Sequence, residues 1–250
     1  MGILNITPDS FSDGGRYDTV EAAIKRAVAL EEQGADIIDI GGESTGPGSK
    51  RVKTEEEIRR VLPVLIAVRK RTKLPISIDT YKAKVAQAAL EEGADMINDV
   101  TALRADKKMP VIISKYKCPI ILMYSKDPTP RTTRKKQHYK NVTAHIKNFL
   151  EERIRFAQEK GIKKSQIIID PGMGAFISSV PAYSYQIITE LNELKSLSCP
   201  ILIGVSRKSF LGGALSSRDG KSAALSAIAY INGASIIRTH NVKETLSCLN

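Results

Sequence analysis

Three acid and amide side chains, Asp79, Asn98 and Asp170, are each reached at the end of a short apolar run: Ile76-Ser77-Ile78-Asp79, Met96-Ile97-Asn98-Asp99 and Ile167-Ile168-Ile169-Asp170. A carboxylate in such a place needs partners, because an unpaired buried charge is expensive. One reading is local, with each side chain capping the helix that follows. The other is chemical. Together the three suit a planar ligand with a polar edge, such as a pterin or guanine-like ring, whose adjacent N–H groups pair bidentately with a carboxylate. A second group, Arg207, Lys208, Arg238 and His240, follows or closes the last two apolar runs, Ile201 to Val205 and Ile236 to Arg238. Beside Arg238 at a strand end, His240 favours an anion site over a core histidine. A flat polar ring lying deep, with phosphates beside the last two strands, would satisfy both groups.

The elements that must carry these residues are legible as eight short runs, the five above joined by Ile3-Leu4-Asn5, Ile37-Ile38-Asp39-Ile40 and Ile120-Ile121-Leu122-Met123. Nearly continuous β-branched runs mark parallel strands buried on both faces. Proline then isoleucine precedes the third, fifth and seventh (Pro75-Ile76, Pro119-Ile120, Pro200-Ile201), and Gly34, Gly93 and Gly233 stand before the second, fourth and eighth. Both residue types end helices. Thr19 to Gln33, Thr54 to Arg71 and Lys82 to Glu92 read as amphipathic helices, and Thr54 with Glu57 predicts a capping box. Repeated βα units over 250 residues predict one domain, residues 1–250, folded as a (β/α)8 TIM barrel with eight parallel strands. An open doubly wound sheet is the runner-up. Against it, no Gly-x-Gly-x-x-Gly turn opens the first helix and the polar residues are spread over nearly all strands. In a barrel the active site lies at the C-terminal strand ends, which places Asn5, the loop Glu43-Ser44-Thr45, Asp79, Asn98, Asp170, Ser206 to Ser209, Arg238 and His240 on one rim. The basic loop from Lys126 to about His138 is long for a βα connection and reads as mobile. The first strand starts almost at Met1 and only Asn241 to Asn250 remain for an eighth helix, so the barrel reads as trimmed at both ends.

Composition narrows the classes. Net charge is +11, with basic clusters at Lys50 to Lys53 and Arg131 to Lys136, but no nucleic-acid module accompanies them. A basic field also draws in an anionic small substrate. No run reaches the roughly 18 apolar residues of a membrane span, and Met1 leads straight into a strand without a signal peptide. Three cysteines predict free thiols in a reducing cytoplasm, Cys118 and Cys199 lying at the barrel end away from the rim.

Seven ordered motifs then carry a specific likeness: Met1 to Gly15 (Met-Gly-Ile-Leu-Asn-Ile-Thr-Pro-Asp-Ser-Phe-Ser-Asp-Gly-Gly), Asp39 to Thr45, Ser77 to Thr80, Ile97 to Val100, Asp170-Pro-Gly-Met-Gly174, Gly204 to Gly212 and Ile237 to His240. Across nearly the whole chain this pattern resembles the dihydropteroate synthase family. The resemblance implies a transferase of folate biosynthesis, a sulfonamide target, that joins 6-hydroxymethyl-7,8-dihydropterin diphosphate to 4-aminobenzoate and releases pyrophosphate. It implies that Asp79, Asn98, Asp170 and Lys208 bind the pterin, and that Asn5, Arg238 and His240 serve the diphosphate, Asn5 through Mg²⁺. Thr45, Pro47 and Ser206 match positions around the aminobenzoate, and Asp79, Lys208, Arg238 and His240 are the implied catalytic set. Thr7 to Gly15 and Glu43 to Arg51 correspond to two mobile loops, and a cytoplasmic homodimer is the implied assembly.

Two positions depart from that pattern. The family's second loop reads Glu-Ser-Thr-Arg-Pro-Gly, whereas this chain has Gly46 at the arginine position, with Lys50 or Arg51 as candidate substitutes. An aromatic after Asp-Pro-Gly-Met-Gly is replaced by Ala175, then Phe176. Both touch the aminobenzoate side. Three alternatives stay open: a methyltetrahydrofolate-dependent corrinoid methyltransferase, which has no use for a diphosphate site; a pterin-binding paralogue without turnover; and a basic RNA-binding protein working through Arg131 to Lys136.

Overall fold

The computed structural model describes residues 1–6 and 16–249. The first expected loop, Thr7 to Gly15, lies outside them. Strands β1 (Gly2–Asn5), β2 (Ile38–Gly41), β3 (Ile76–Asp79), β4 (Met96–Asp99), β5 (Ile120–Met123) and β6 (Ile167–Asp170) form one parallel sheet in chain order, and β7 (Leu202–Ile203) pairs with β8 (Ile236–Ile237) as a parallel ribbon. Single bridges, Ile169 to Ile201 and Gly2 to Thr239, join the ribbon to the sheet's two edges and close the barrel. Helices α1 (Arg16–Glu32), α2 (Thr54–Arg69), α3 (Ala83–Glu91), α4 (Met109–Tyr116), α5 (Val142–Glu159), α6 (Pro181–Thr189), α7 (Arg218–Ile231) and α8 (Val242–Ser247) follow the strands in turn. The (β/α)8 barrel expected from the runs is thus the fold, with β7 and β8 shorter than their runs.

Strand periodicity explains how these sequences place a polar site above an apolar plug. Alternate residues such as Ile38, Ile40, Ile76, Ile78, Ile97, Ile120, Leu122, Ile167, Ile169, Ile201 and Ile203 join the main core with the helices. Residues of opposite parity face the barrel axis. Met96, Ile121, Ile168 and Leu202, with Met1, pack there as a separate apolar cluster. Two residues further along the same strands come Asn98, Met123, Asp170 and Gly204. The axis therefore turns from apolar to polar toward the C-terminal rim, and the lower cluster is an apolar floor beneath the site.

One local expectation is corrected. Lys53, not Thr54, is the residue before α2, and no side-chain cap forms there. Glu57 instead turns inward, accepting from Thr80 Oγ1 at 2.7 Å and from Lys82. A buried ammonium attracts a carboxylate more strongly than an exposed backbone N–H does. The first half of the Lys126–His138 loop is knit by its own side chains: Lys126 Nζ meets Asp127 at 2.5 Å and Thr133 O at 2.8 Å, while Asp127 Oδ2 accepts from Thr132 Oγ1 and Thr133 N. Cys118 and Cys199 are buried, and desolvation pushes the Cys118 thiol up to about 11, which leaves it unreactive. Among the described residues no helix is long and apolar enough to cross a membrane.

Candidate active site

At the rim the acids and amides expected to act together do converge, around a residue that strand-end reading overlooked. Asp39 stands inside the Ile37–Ile40 run of β2, wholly buried, with its side chain toward the axis. Arg238, just past β8, donates from Nε to Asp39 Oδ2 at 2.6 Å and from Nη2 to Asp79 Oδ2 at 3.0 Å. Asn98 Nδ2 adds a bond to Asp39 Oδ2 at 3.3 Å. Four strands are thereby cross-linked through one guanidinium and one carboxylate. A charged residue interrupting an otherwise β-branched run was the available signal for Asp39.

The electrostatics of this slot are those of acids waiting for donors. Burial pushes the Asp79 carboxyl up to about 7 despite Arg238, with Asp39, Glu57 and Asp99 adding to the rise. Asp170 is pushed up to about 6 by burial, held back by the Gly172 N–H, Lys208 and Arg238. Burial brings Lys208 down to about 8, against the pull of Asp170 and Asp79. Its ammonium lies 4.9 Å from the Phe176 ring centre, a cation–π contact. Asp39 Oδ1, Ser77 Oγ and Asn98 Oδ1 are buried without a hydrogen-bond partner among the described residues. Such orphans are costly and mark a place shaped for an N–H-bearing ligand or ordered water.

The local reading of the strand-end acids applies unevenly. Asp99 is a turn former, accepting from Thr101 N and Leu103 N, both at 2.8 Å. Asp170 uses one oxygen in this way, toward Gly172 N at 2.7 Å. That turn requires glycine, since Gly172 has φ +70° and a Cβ there would stand 2.4 Å from Tyr124 O. Asp79 bonds to Arg238, across the barrel, and not to its own helix.

The anion group divides. Arg207 is turned aside into a bidentate pair with Asp219 near the start of α7, both bonds 2.7 Å, so it belongs to the scaffold. His240 Nδ1 shares a hydrogen bond of 2.9 Å with Ser206 Oγ, which also accepts from His240 N. Burial and the nearby cations Arg238, Arg207 and Lys208 push His240 down to about 3. It is neutral at physiological pH and can offer an N–H, not a charge. Asn5, exposed at the end of β1, faces Gly41 and Asp79: a Cβ at Gly41 would lie 3.5 Å from both Asn5 Oδ1 and Asp79 Cβ.

On the remaining side, half-buried Thr45 and Pro47 lie in the loop between β2 and α2. The proposed stand-ins for the absent arginine differ in position. Lys50 and Arg51 are both exposed, and Arg51 is the one near enough to the Tyr81 hydroxyl to influence its ionisation. Lys82 and Glu57, neither expected at the site, are buried behind this loop.

Comparison with known proteins agrees with this arrangement. The family model described as "Pterin binding enzyme" matches residues 1–240. A dihydropteroate synthase of Streptococcus pyogenes is 44% identical over 249 residues, covering 97% of this chain and 90% of the relative. The chain belongs to the dihydropteroate synthase family of pterin-binding enzymes. Solved structures extend the likeness to this family member's whole fold. A Xanthomonas albilineans dihydropteroate synthase with 4-aminobenzoic acid superposes with TM-score 0.92 and 42% identity, covering all of this chain and 89% of that one. A Yersinia pestis dihydropteroate synthase in a sulfonamide drug complex gives TM-score 0.92 and 37% identity, covering all of this chain and 90% of that one.

Proposed function

We infer that this pterin-binding enzyme is a dihydropteroate synthase, condensing 6-hydroxymethyl-7,8-dihydropterin diphosphate with 4-aminobenzoate to 7,8-dihydropteroate and pyrophosphate. The observation that carries the reading is the juxtaposition of an acceptor-rich slot, Asp79, Asn98 and Asp170 over an apolar floor, with the cations Lys208 and Arg238 at its edge. Asp79 and Asp170 take the N–H edge of the pterin, Asn98 supplies the third polar contact, and Lys208 lies over the ring-bearing slot. The carbon–oxygen bond to the diphosphate breaks as the aminobenzoate nitrogen forms its bond to the methylene carbon, and the proton the nitrogen gives up goes to solvent or to the released pyrophosphate. Arg238 neutralises charge on the departing diphosphate, and neutral His240 donates to it. No covalent nucleophile is needed, because the electron-rich pterin shares positive charge left on the methylene. Holding the ring and excluding water are the protein's main contributions.

Mg²⁺ belongs to the same proposal. Asn5 is a hard oxygen donor at the mouth, and among the described residues no group of three His, Cys, Asp or Glu side chains could hold a metal. An ion bound chiefly by diphosphate oxygens and water, with Asn5 as its protein ligand, suits magnesium. When bound it would neutralise leaving-group charge. Thr45, Pro47 and Ser206 are assigned to the aminobenzoate. Free cysteines support a cytoplasmic setting, and the exposed apolar Ile228 and Ile231 on α7 support a homodimer. Lack of any diphosphate-binding role for Arg238 would favour the corrinoid methyltransferase reading instead. The test is incubation with pterin diphosphate, Mg²⁺ and labelled aminobenzoate. Labelled dihydropteroate is expected, and its absence with an intact protein would overturn the assignment.

A further inference from the structure

The basic stretch Arg131 to Lys136 sits in the loop between β5 and α5, and its first two residues reach across to other parts of the rim. Arg131 forms an ion pair with Glu43, whose side chain is 2% exposed. Glu43 also accepts from Tyr81 Oη at 3.1 Å, from Lys82 Nζ at 2.5 Å and from Val52 N at 3.3 Å. Lys82 Nζ in turn pairs with Glu57 and donates to Val52 O at 2.7 Å. Residues 44–51 are thus a loop drawn shut at its base, with Glu43 on one side and Val52 on the other. Glu43 and Glu57 carry two negative charges against the one positive charge of Lys82, so the buried cluster balances only when Arg131 is included.

Thr132 extends the connection. Its N–H donates to Thr45 O at 3.1 Å, and its Oγ1 lies 2.8 Å from Ala175 O and 2.9 Å from Asp127 Oδ2, with its single proton shared between the two. One dipeptide therefore fixes both segments at which the chain departs from its family's pattern, the loop containing Gly46 and the turn containing Ala175. We propose that Arg131 and Thr132 are positioning residues for the second substrate, and that the guanidinium ordering the Thr45–Pro47 loop is delivered from the fifth βα loop. Neither residue acts on the reacting atoms. They hold Thr45 and the Gly174–Phe176 turn at a fixed separation, so that a benzoate-sized anion meets a preformed edge.

This inference rests on aminobenzoate being the co-substrate, and its test separates the two claims. Steady-state constants for both substrates and amide exchange of residues 44–52 are to be compared in wild type, Arg131→Met, Arg131→Lys and Thr132→Val. Arg131→Met leaves two buried carboxylates, Glu43 and Glu57, to share the one cation Lys82, and is expected to raise the aminobenzoate KM at least about tenfold while the pterin diphosphate KM stays within about twofold. Exchange in 44–52 should quicken, and Arg131→Lys should recover most of the loss. Equal rises in both KM values, or no change in either, would overturn the proposal. Should Arg131→Met fail to fold, Thr132→Val carries the same split, since it removes one hydroxyl and no charge. If wild type does not turn over aminobenzoate at all, the assigned reaction fails, and unchanged exchange in 44–52 would be the separate failure of the clamp.

Discussion

Replacing Asp170 by Asn should make the ligand-free protein more stable and the pterin complex weaker. Asn mimics the protonated carboxyl, and its Oδ1 can keep the 2.7 Å bond from Gly172 N. In wild type the folded carboxyl titrates at about 6, raised from an ordinary 3.8 chiefly by burial. Because the folded value is the higher one, the folded state binds more protons between the two, and this group's contribution to stability is fully present below 3.8 and lost as pH rises through about 6. At about 1.4 kcal/mol per pH unit, the ionised group costs roughly 3 kcal/mol at pH 8. Asp170→Asn escapes that cost, so its melting temperature should exceed wild type by several degrees at pH 8, and the gap should shrink toward pH 4. Pterin binding should move the other way. Losing a charge-assisted bidentate acceptor in a desolvated slot costs about 2–4 kcal/mol, or about 30- to 1000-fold in Kd. Thermal melts at pH 4, 6 and 8 and calorimetry with 6-hydroxymethylpterin measure both. A variant less stable at pH 8, a gap independent of pH, or undiminished pterin affinity would refute the reasoning.

Wild-type pterin affinity should fall as pH drops through about 7 and then about 6, because Asp79 and Asp170 must be ionised to pair with the ring's N–H edge; calorimetry in two buffers of different ionisation enthalpy should show net proton release on binding near pH 6. Arg238→Ala should impair binding of the diphosphate substrate far more than that of 6-hydroxymethylpterin, and should also lower stability by about 3–5 kcal/mol by stranding wholly buried Asp39. Combining it with Asp39→Asn should recover much of that stability, and strict additivity in denaturant titrations would show the pair to be uncoupled. Gly46→Arg should be tolerated sterically, since a Cβ there meets only Ser44 Oγ at 3.6 Å, and should lower the raised aminobenzoate KM of Arg131→Met without altering pterin affinity. If that KM stays raised, and Lys50→Ala and Arg51→Ala leave the wild-type value unmoved, glycine at this position is neutral.

What could be read from sequence followed from period and punctuation. Ile76–Asp79, Met96–Asp99, Ile120–Met123 and Ile167–Asp170 are strands over the same residues as their runs, because a β-branched stretch between a helix stop and a polar rim has one stable role in a barrel. Asp79, Asn98 and Asp170 were legible for the same reason. Asp39 gave a weaker signal, a charge interrupting a β-branched run, and its pairing was not legible because Arg238 lies 199 residues away. Glu57 looked like a helix cap because the spacing from Thr54 permits one, and only the three-dimensional approach of Lys82 decides otherwise. Arg207 shared a basic tetrapeptide with Lys208, yet its left-handed backbone, φ +58°, accompanies a side chain committed to Asp219. Charge type is written in the sequence, whereas charge partnership is a property of the closed fold.

The way the barrel closes divides the molecule into two units of unequal cohesion. Asn5, Asp39, Asp79, Asn98 and Asp170 are carried on the continuous six-stranded sheet, while Ser206, Lys208, Arg238 and His240 follow the two-residue strands of the ribbon. Across the two seams strand pairing is reduced to isolated bridges at Ile169–Ile201 and Gly2–Thr239. Sub-global opening follows the thinnest ladder, so the ribbon with α7 and α8 is the natural foldon to part from the rest. Arg238 already spans that divide through Asp39 and Asp79. A substrate whose ring is gripped by the sheet and whose diphosphate is gripped by the ribbon would act as a further strut across it. Binding energy would then appear as slowed amide exchange along β7, β8 and α7, on the far side of the seam from the carboxylates that recognise the ring.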